Sequence, residues 1–357
     1  MGKHRISLGI FLISFSVLLP VTNYIYTTTV NVYDSTETVS DDDVSVKGYA
    51  WFRQGITLSD TGAGPYTLTM ATPLPVGGNI ELDGGTLLLN EDLHLADGAG
   101  ITSSNQVSPT ASTFSINGNG RTIYTHGSTP FSASDMAVTI TGETVIDGGG
   151  CTLLLGSNFS FVVNNNAQLT LRNMTIIGAD DSFITINSTT GPYQAGTVVF
   201  ENVDWHLVRD NSGSFVGSMQ TFDRGDIYFK GKNNVYGNGG TLKFATGSSQ
   251  TINIFLDGTI AFHDGTTFTL DATQSMPNLT CEATTASLCL IGATFSIPSG
   301  TFAYKTGSFI AAATASIEGN LDFGDGASAD NNAYVIVRPG GKISVDNGTL
   351  AFKDYTP

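Results

Sequence analysis

One five-residue pattern, apolar–any–apolar–any–Gly or Asn, returns along most of this chain, and its spacing constrains the fold more than any other feature. It occurs as Ile80-x-Leu82-x-Gly84, Phe114-x-Ile116-x-Gly118, Val138-x-Ile140-x-Gly142 and Leu169-x-Leu171-x-Asn173. It continues as Val198-x-Phe200-x-Asn202, Ile227-x-Phe229-x-Gly231, Ile254-x-Leu256-x-Gly258 and, near the end, Ile343-x-Val345-x-Asn347. From the start at 138 through those at 169, 198, 227 and 254, the steps are 31, 29, 29 and 27 residues. Alternation with period two turns one side of a strand toward an apolar interior. Gly and Asn tolerate positive φ and so suit a fixed corner. A corner that returns at this interval implies a coil that closes on itself one strand spacing higher, with room for three short strands and three turns. Stacked coils bury a continuous interior that no single coil could bury.

The agreement runs past the pattern itself. Leu169–Ile176 and Val198–Trp205 match position by position, which places Trp205 on Ile176, a packed position, and Asn202 on Asn173, ready for a stacked amide ladder. In the same register Arg172, Glu201 and Lys230 alternate in sign, as a solvated outer face would. A β-sandwich would instead put turns about every 8–12 residues, with no preferred longer step. Composition agrees with strands: 42 glycines, 11 prolines and 13% charged residues, with 40% hydrophobic residues to fill a core. Beyond residue 30 no long run carries the helical apolar spacing.

Two further stretches, Ile-Asn-Gly-Asn-Gly-Arg-Thr-Ile over 116–123 and Val-Ile-Asp-Gly-Gly-Gly-Cys-Thr-Leu over 145–153, carry a resemblance. With Leu-Thr-Leu-Arg-Asn-Met-Thr-Ile over 169–176 they resemble the pectin-lyase-like right-handed β-helix superfamily, in which I-D-G-N-G-x-T-I and L-T-L-x-N-x-T-I segments often open and continue coils. The resemblance spans roughly residues 75–355. It implies an all-β chain, a single-stranded right-handed parallel β-helix (β-solenoid) with coils of about 30 residues. It specifies fold far better than function, because that superfamily holds polysaccharide lyases, glycosidases, phage tailspikes, autotransporter passengers and repeat-rich surface proteins.

Lys3, His4 and Arg5 precede an apolar run from Ile6 to Val21, the layout of a secretory signal and short for a membrane span of about 20 residues. No A-x-A cleavage site follows, so an uncleaved anchor through residues 6–21 stays open as the one route to a membrane. The organisation expected is a signal peptide or anchor over 1–28, an N-terminal cap over 29–75, and a β-helix over 76–357 with a loop insertion near 261–293. The expected location is secreted, or at the cell surface or envelope. In that oxidising setting Cys281 and Cys289, eight residues apart in a polar segment, are expected within bonding reach on the loop, as a disulfide or as two free thiols. Cys151 reads as a small buried hydrophobe.

A net charge of −16 argues against nucleic-acid binding, since polyphosphate would be repelled. Calcium at Asp-rich turns is the one cofactor left open, and no CxxC or His/Cys cluster suggests zinc.

Three sets of residues are weak catalytic candidates. Asp180 and Asp181, in Gly178-Ala179-Asp180-Asp181, resemble the paired carboxylates that supply acid and base in polygalacturonase-like glycosidases. The N-T-D, G-H-G and R-I-K motifs of those enzymes are missing. Asp204 and His206, flanking Trp205, faintly resemble the W-x-D-H segment of pectate lyases, whose Arg base and calcium cluster would have to come from elsewhere; Arg172 and Arg209 are the nearest basic residues. Asp223, Arg224 and Asp226 read as an ion-paired turn. Five N-x-[ST] sequons, at Asn158, Asn173, Asn187, Asn278 and Asn347, read mostly as turn chemistry. The function expected is an exported non-catalytic solenoid, structural or adhesive, that meets a surface glycan or protein. The alternatives are a polysaccharide hydrolase or lyase, and a self-associating filament or fibre subunit.

Overall fold

Alternating strands of this kind close into three walls. The computed structural model describes residues 86–95, 99–102, 112–125, 131 and 136–353, apart from 157–158, 188–194, 210–215, 248–249 and 325–331, together with the strand backbones between 23 and 83. Among these residues there is no helix, and the strands pair in parallel save for Val208–Arg209 against Val216–Gly217. The chain is a parallel β-solenoid. One coil shows the path. Phe159–Val163 lies in a first wall. The strand Gln168–Ile177 then bends at Asn173, so that its two halves lie in a second and a third wall. Ile184–Ile186 returns to the first wall one strand higher.

The expected interior column is present. Leu169 pairs with Val198, Val198 with Ile227 and Ile227 with Ile254, and all four are buried. Phe200 stacks on Phe229 with centroids 5.4 Å apart and meets Trp205 at 5.0 Å. Trp205 pairs with Ile176, is buried, and donates its indole N–H to the Gly178 carbonyl at 2.8 Å. That bond removes the cost of burying the indole nitrogen.

The corner between the second and third walls needs the left-handed region. Asn173, Asn202 and Gly231 have φ of 53°, 55° and 65°. Asn202 Nδ2 donates to Asn173 Oδ1 at 3.3 Å, and Asn202 Oδ1 accepts from the Lys232 amide at 2.9 Å. The anticipated amide ladder therefore runs for two coils and ends where Gly231 sits, since a Cβ there would lie 2.3 Å from Asn202 Oδ1.

Several expectations need correction. The mean coil is about 26 residues, not 30. Steps of 29 hold from Leu169 to Val198 to Ile227, while Leu68 to Leu87 is 19 and Val138 to Phe161 is 23. The 31-residue step from Val138 to Leu169 crosses walls: Val138 faces Phe161 in the first wall, and Leu169 faces Thr144 in the second. The five-residue pattern marks all three corners, because any strand with inward alternating residues that ends in a tight turn spells it. Residues 261–293 are not an insertion but a coil, with Thr267–Asp271, Asn278–Cys281 and Ser287–Leu290 each paired in its ladder. Between 29 and 75, read as a cap, the strand backbones already form coils: Val32 pairs with Trp51, Val44 with Leu68 and Glu37 with Ile56. The apolar run of residues 6–21 lies outside the described residues.

Candidate functional site

The first wall is interrupted. Its eight-stranded sheet ends at Ile184–Ile186, and a separate seven-stranded sheet begins one coil later at Met219–Phe222, with no ladder between them. Gln220 occupies the gap. It is fully buried, at a position that pairs with interior Leu242, and its Nε2 donates to the Ile184 carbonyl at 3.1 Å. One side-chain bond thus crosses the seam where ladder bonds are missing, at the cost of leaving Gln220 Oε1 without a partner.

A cleft of about 380 Å³ opens along this seam. Asp181, Thr185, Asn187, Thr221, Asp223 and Arg224 line it, with buried Ile184, Ile186 and Phe222 beneath. The two candidate sets that the chain separates by some forty residues, Asp181 and the Asp223–Arg224 turn, are thereby brought to one place. Asp180 is not part of it. Its Oδ1 accepts from the Ser182 amide at 3.1 Å and hydroxyl at 2.9 Å, an Asx turn that shapes the segment carrying Asp181. Arg224 grips Asp223 with both ends of its fork, Nε to Oδ1 at 2.9 Å and Nη2 to Oδ2 at 2.6 Å. The hydrogen bonds to Asp223 raise the guanidinium pKa further, against a smaller opposing effect of burial. Asn187 is anchored from the preceding coil, its Nδ2 donating to Asn164 Oδ1 at 2.9 Å.

Asp204 and His206 lie elsewhere, on the outside of the third wall. Asp204 Oδ1 accepts from Asn234 Nδ2 at 2.7 Å, and Asn234 Oδ1 meets His263 Nε2 at 3.2 Å. His206, Tyr236 and His263 stack, with centroids 4.9 and 4.2 Å apart. Burial pushes the His263 imidazole below its ordinary value, with Asp204 and Asp264 pulling the other way. The ring faces are spent on one another, which leaves edges rather than a platform. No arginine joins this group from the second wall, where Arg172 bonds Asp147 at 2.9 Å around the Asn173 corner. Arg172, Glu201, Lys230 and Asp257 stand in register, the alternating ladder the sequence implied.

The cysteine staple is a correction. All three cysteines are free and buried. Cys281 pairs with Leu256 and Cys289 with Ala261, on either side of the Gly258 corner, five residues apart along one strand. Even with the bend, five residues at about 3.3 Å each exceed the roughly 7 Å limit for a bridge. Cys281 faces the core beside the Tyr304 hydroxyl at 3.6 Å, while Cys289 packs outside with Ala261 and Ile310. Burial raises the pKa of each thiol.

No protein family matches this sequence, and no curated protein or solved structure does either.

Chemistry therefore rests on the residues alone. Among those described, no three His, Cys, Asp or Glu side chains gather as metal ligands would. The seam cleft offers hydroxyls, an amide, one carboxylate outside the ion pair and a fixed Asp–Arg couple. Such a set hydrogen-bonds a polyhydroxylated ligand from several directions.

Proposed function

We propose that this chain is an exported, non-catalytic β-solenoid, an extracellular or cell-surface structural and adhesion protein that holds a glycan in the first-wall cleft. Its kinship would lie with the pectin-lyase-like β-helices that the coil-opening segments resemble. The observation that carries the reading is the state of the cleft's carboxylates. Both oxygens of Asp223 are taken by Arg224, which favours a fixed hydrogen-bonding surface over a group that must gain and lose a proton. The basic Lys3–Arg5 flank before the apolar run supports export.

A polysaccharide hydrolase or lyase is the second reading, favoured by Asp181 and Asp223 sharing one cleft. Acid–base cleavage needs two carboxyl groups at about 5–10 Å, one of them free to carry the proton. Only Asp181 is outside the ion pair, so the second reading requires Arg224 to release Asp223.

Titration of the purified chain with neutral and acidic oligosaccharides, with and without calcium, tests the site. A binder is expected whose affinity falls about tenfold or more in Asp181→Ala and in Thr185→Ala, the loss of a hydrogen bond or two. Unchanged affinity in both variants would move binding away from the cleft.

A further inference from the structure

The seam cleft holds one cation, Arg224, and two carboxylates, Asp181 and Asp223. Arg224 gives both ends of its fork to Asp223, at 2.9 and 2.6 Å. On the next coil Lys243 stands in register with Thr221 of the cleft, and its Nζ bonds Asp271 Oδ2 at 2.9 Å. On the coils before, the outward residues of the first wall are Ala137, Thr139, Ser160 and Val162, leading to Thr185, none of them charged. On this part of the first wall, among the described residues, both cations are therefore already held by carboxylates.

Asp181 differs from Asp223. It is exposed, and its carboxylate meets no donor or cation among the described residues. Its charge is left over in a cleft whose other two charges cancel, on a chain of net charge −16. A sugar carboxylate entering here would face that charge with no free cation to offset it, which is discrimination by repulsion. A sugar ammonium would meet it in a charge-assisted hydrogen bond, and the field of the whole chain would draw it in. Thr185, Thr221 and Asn187 offer hydroxyls and an amide to ring hydroxyls. Ile184, Ile186 and Phe222 beneath them give an apolar floor for the C–H face of a sugar, which a bare polyamine would leave unused.

We propose, resting on the reading of this cleft as a glycan site, that its ligand is a glycan of amino sugars with free amino groups, and that Asp181 is the residue that selects it. Acetylating the amine removes the charge, so the acetylated glycan keeps its hydroxyl contacts and loses the bond to Asp181. A polyuronate loses that bond and gains a repulsion. The preference belongs to one carboxylate in the cleft, and not to the net charge of the chain.

Equilibrium titration of the full-length chain with three oligomers of equal length tests this: β-linked glucosamine, its N-acetylated form and galacturonate. The titrations are run in low and high salt, at a mildly acidic pH that charges the amine. The glucosamine oligomer is expected to bind about tenfold or more tighter than the acetylated one, with a margin that shrinks in salt, and galacturonate is expected to bind weakest. Asp181→Asn keeps the size of the side chain and removes its charge. It should cost the glucosamine oligomer about tenfold and leave the acetylated one within about twofold. Asp257→Asn, which removes an exposed carboxylate from the second wall, should change neither. Both are surface changes, and an unchanged β-sheet circular dichroism spectrum verifies folding. Equal losses in the two variants would assign the preference to overall charge and overturn the proposal, as would an acetylated oligomer that binds as tightly as the free amine. Oligolysine that displaces the glucosamine oligomer at equal concentration would make the cleft a general cation site and overturn it too. Binding of none of the three oligomers would instead strike the glycan reading itself, and this proposal with it.

Discussion

Asn173, Asn202 and Gly231 do one job in three successive coils: each turns the chain from the second wall to the third with φ above +50°. Asparagine does it while passing a hydrogen bond to the next coil; glycine does it where there is no room for a side chain. Gly231→Ala puts a Cβ both into the left-handed region and against Asn202 Oδ1. A loss of about 1–3 kcal/mol is expected in urea unfolding. Equal stability of native and alanine forms would mean that the corner is not built this way. The cysteines give a second test at this scale. With all three thiols buried and their pKa values raised by burial, a thiol reagent at neutral pH should label almost nothing in the native chain and three groups in denaturant. A single reactive thiol in denaturant would mean that Cys281 and Cys289 are bridged after all.

Strand pairing is where the sequence was most and least legible. The ladder through Leu169, Val198, Ile227 and Ile254 could be read directly, because those coils have nearly equal lengths and the same corner residue type. Val138 misled for a physical reason: the first-to-second corner at Gly142 and the second-to-third corner at Asn173 make the same demand of sequence, so a pattern search merges them. The cysteine segment misled because its polar stretch, Glu282 to Thr285, is the short turn between two walls, while Cys281 and Cys289 lie in the paired strands on either side of it. As for the site, Asp181 and the Asp223–Arg224 pair were visible singly, but their meeting depends on a break in the first wall. The trace of that break is Gln220, a polar residue at an inward position between Met219 and Phe222, and it shows only once the wall register is known. The register itself can be tested by cross-linking. Glu201 and Lys230 are directly paired on the outside of the second wall. At a strand spacing of about 4.8 Å, Glu201→Cys with Lys230→Cys should oxidise to a disulfide. Glu201→Cys with Tyr228→Cys, two residues out of register, should not. The reverse result would displace the ladder.

At the scale of the whole molecule, a solenoid has long repetitive faces on which ladders of like groups stabilise neighbouring coils, and those ladders easily pass for functional clusters. The His206–Tyr236–His263 stack and the Asp147–Arg172–Glu201–Lys230 row belong to that class. Among the described residues the seam in the first wall breaks the repetition, and the proposed function rests on it. The claim that decides this account is that the cleft binds and does not cleave. The most direct measurement follows product formation from polygalacturonate and neutral polysaccharides, with and without calcium, under conditions where oligosaccharide binding to the chain is saturated. No new reducing ends and no unsaturated products are expected over many hours. Turnover that disappears in Asp181→Ala or Asp223→Ala would contradict the account and make the chain a polysaccharide-cleaving enzyme.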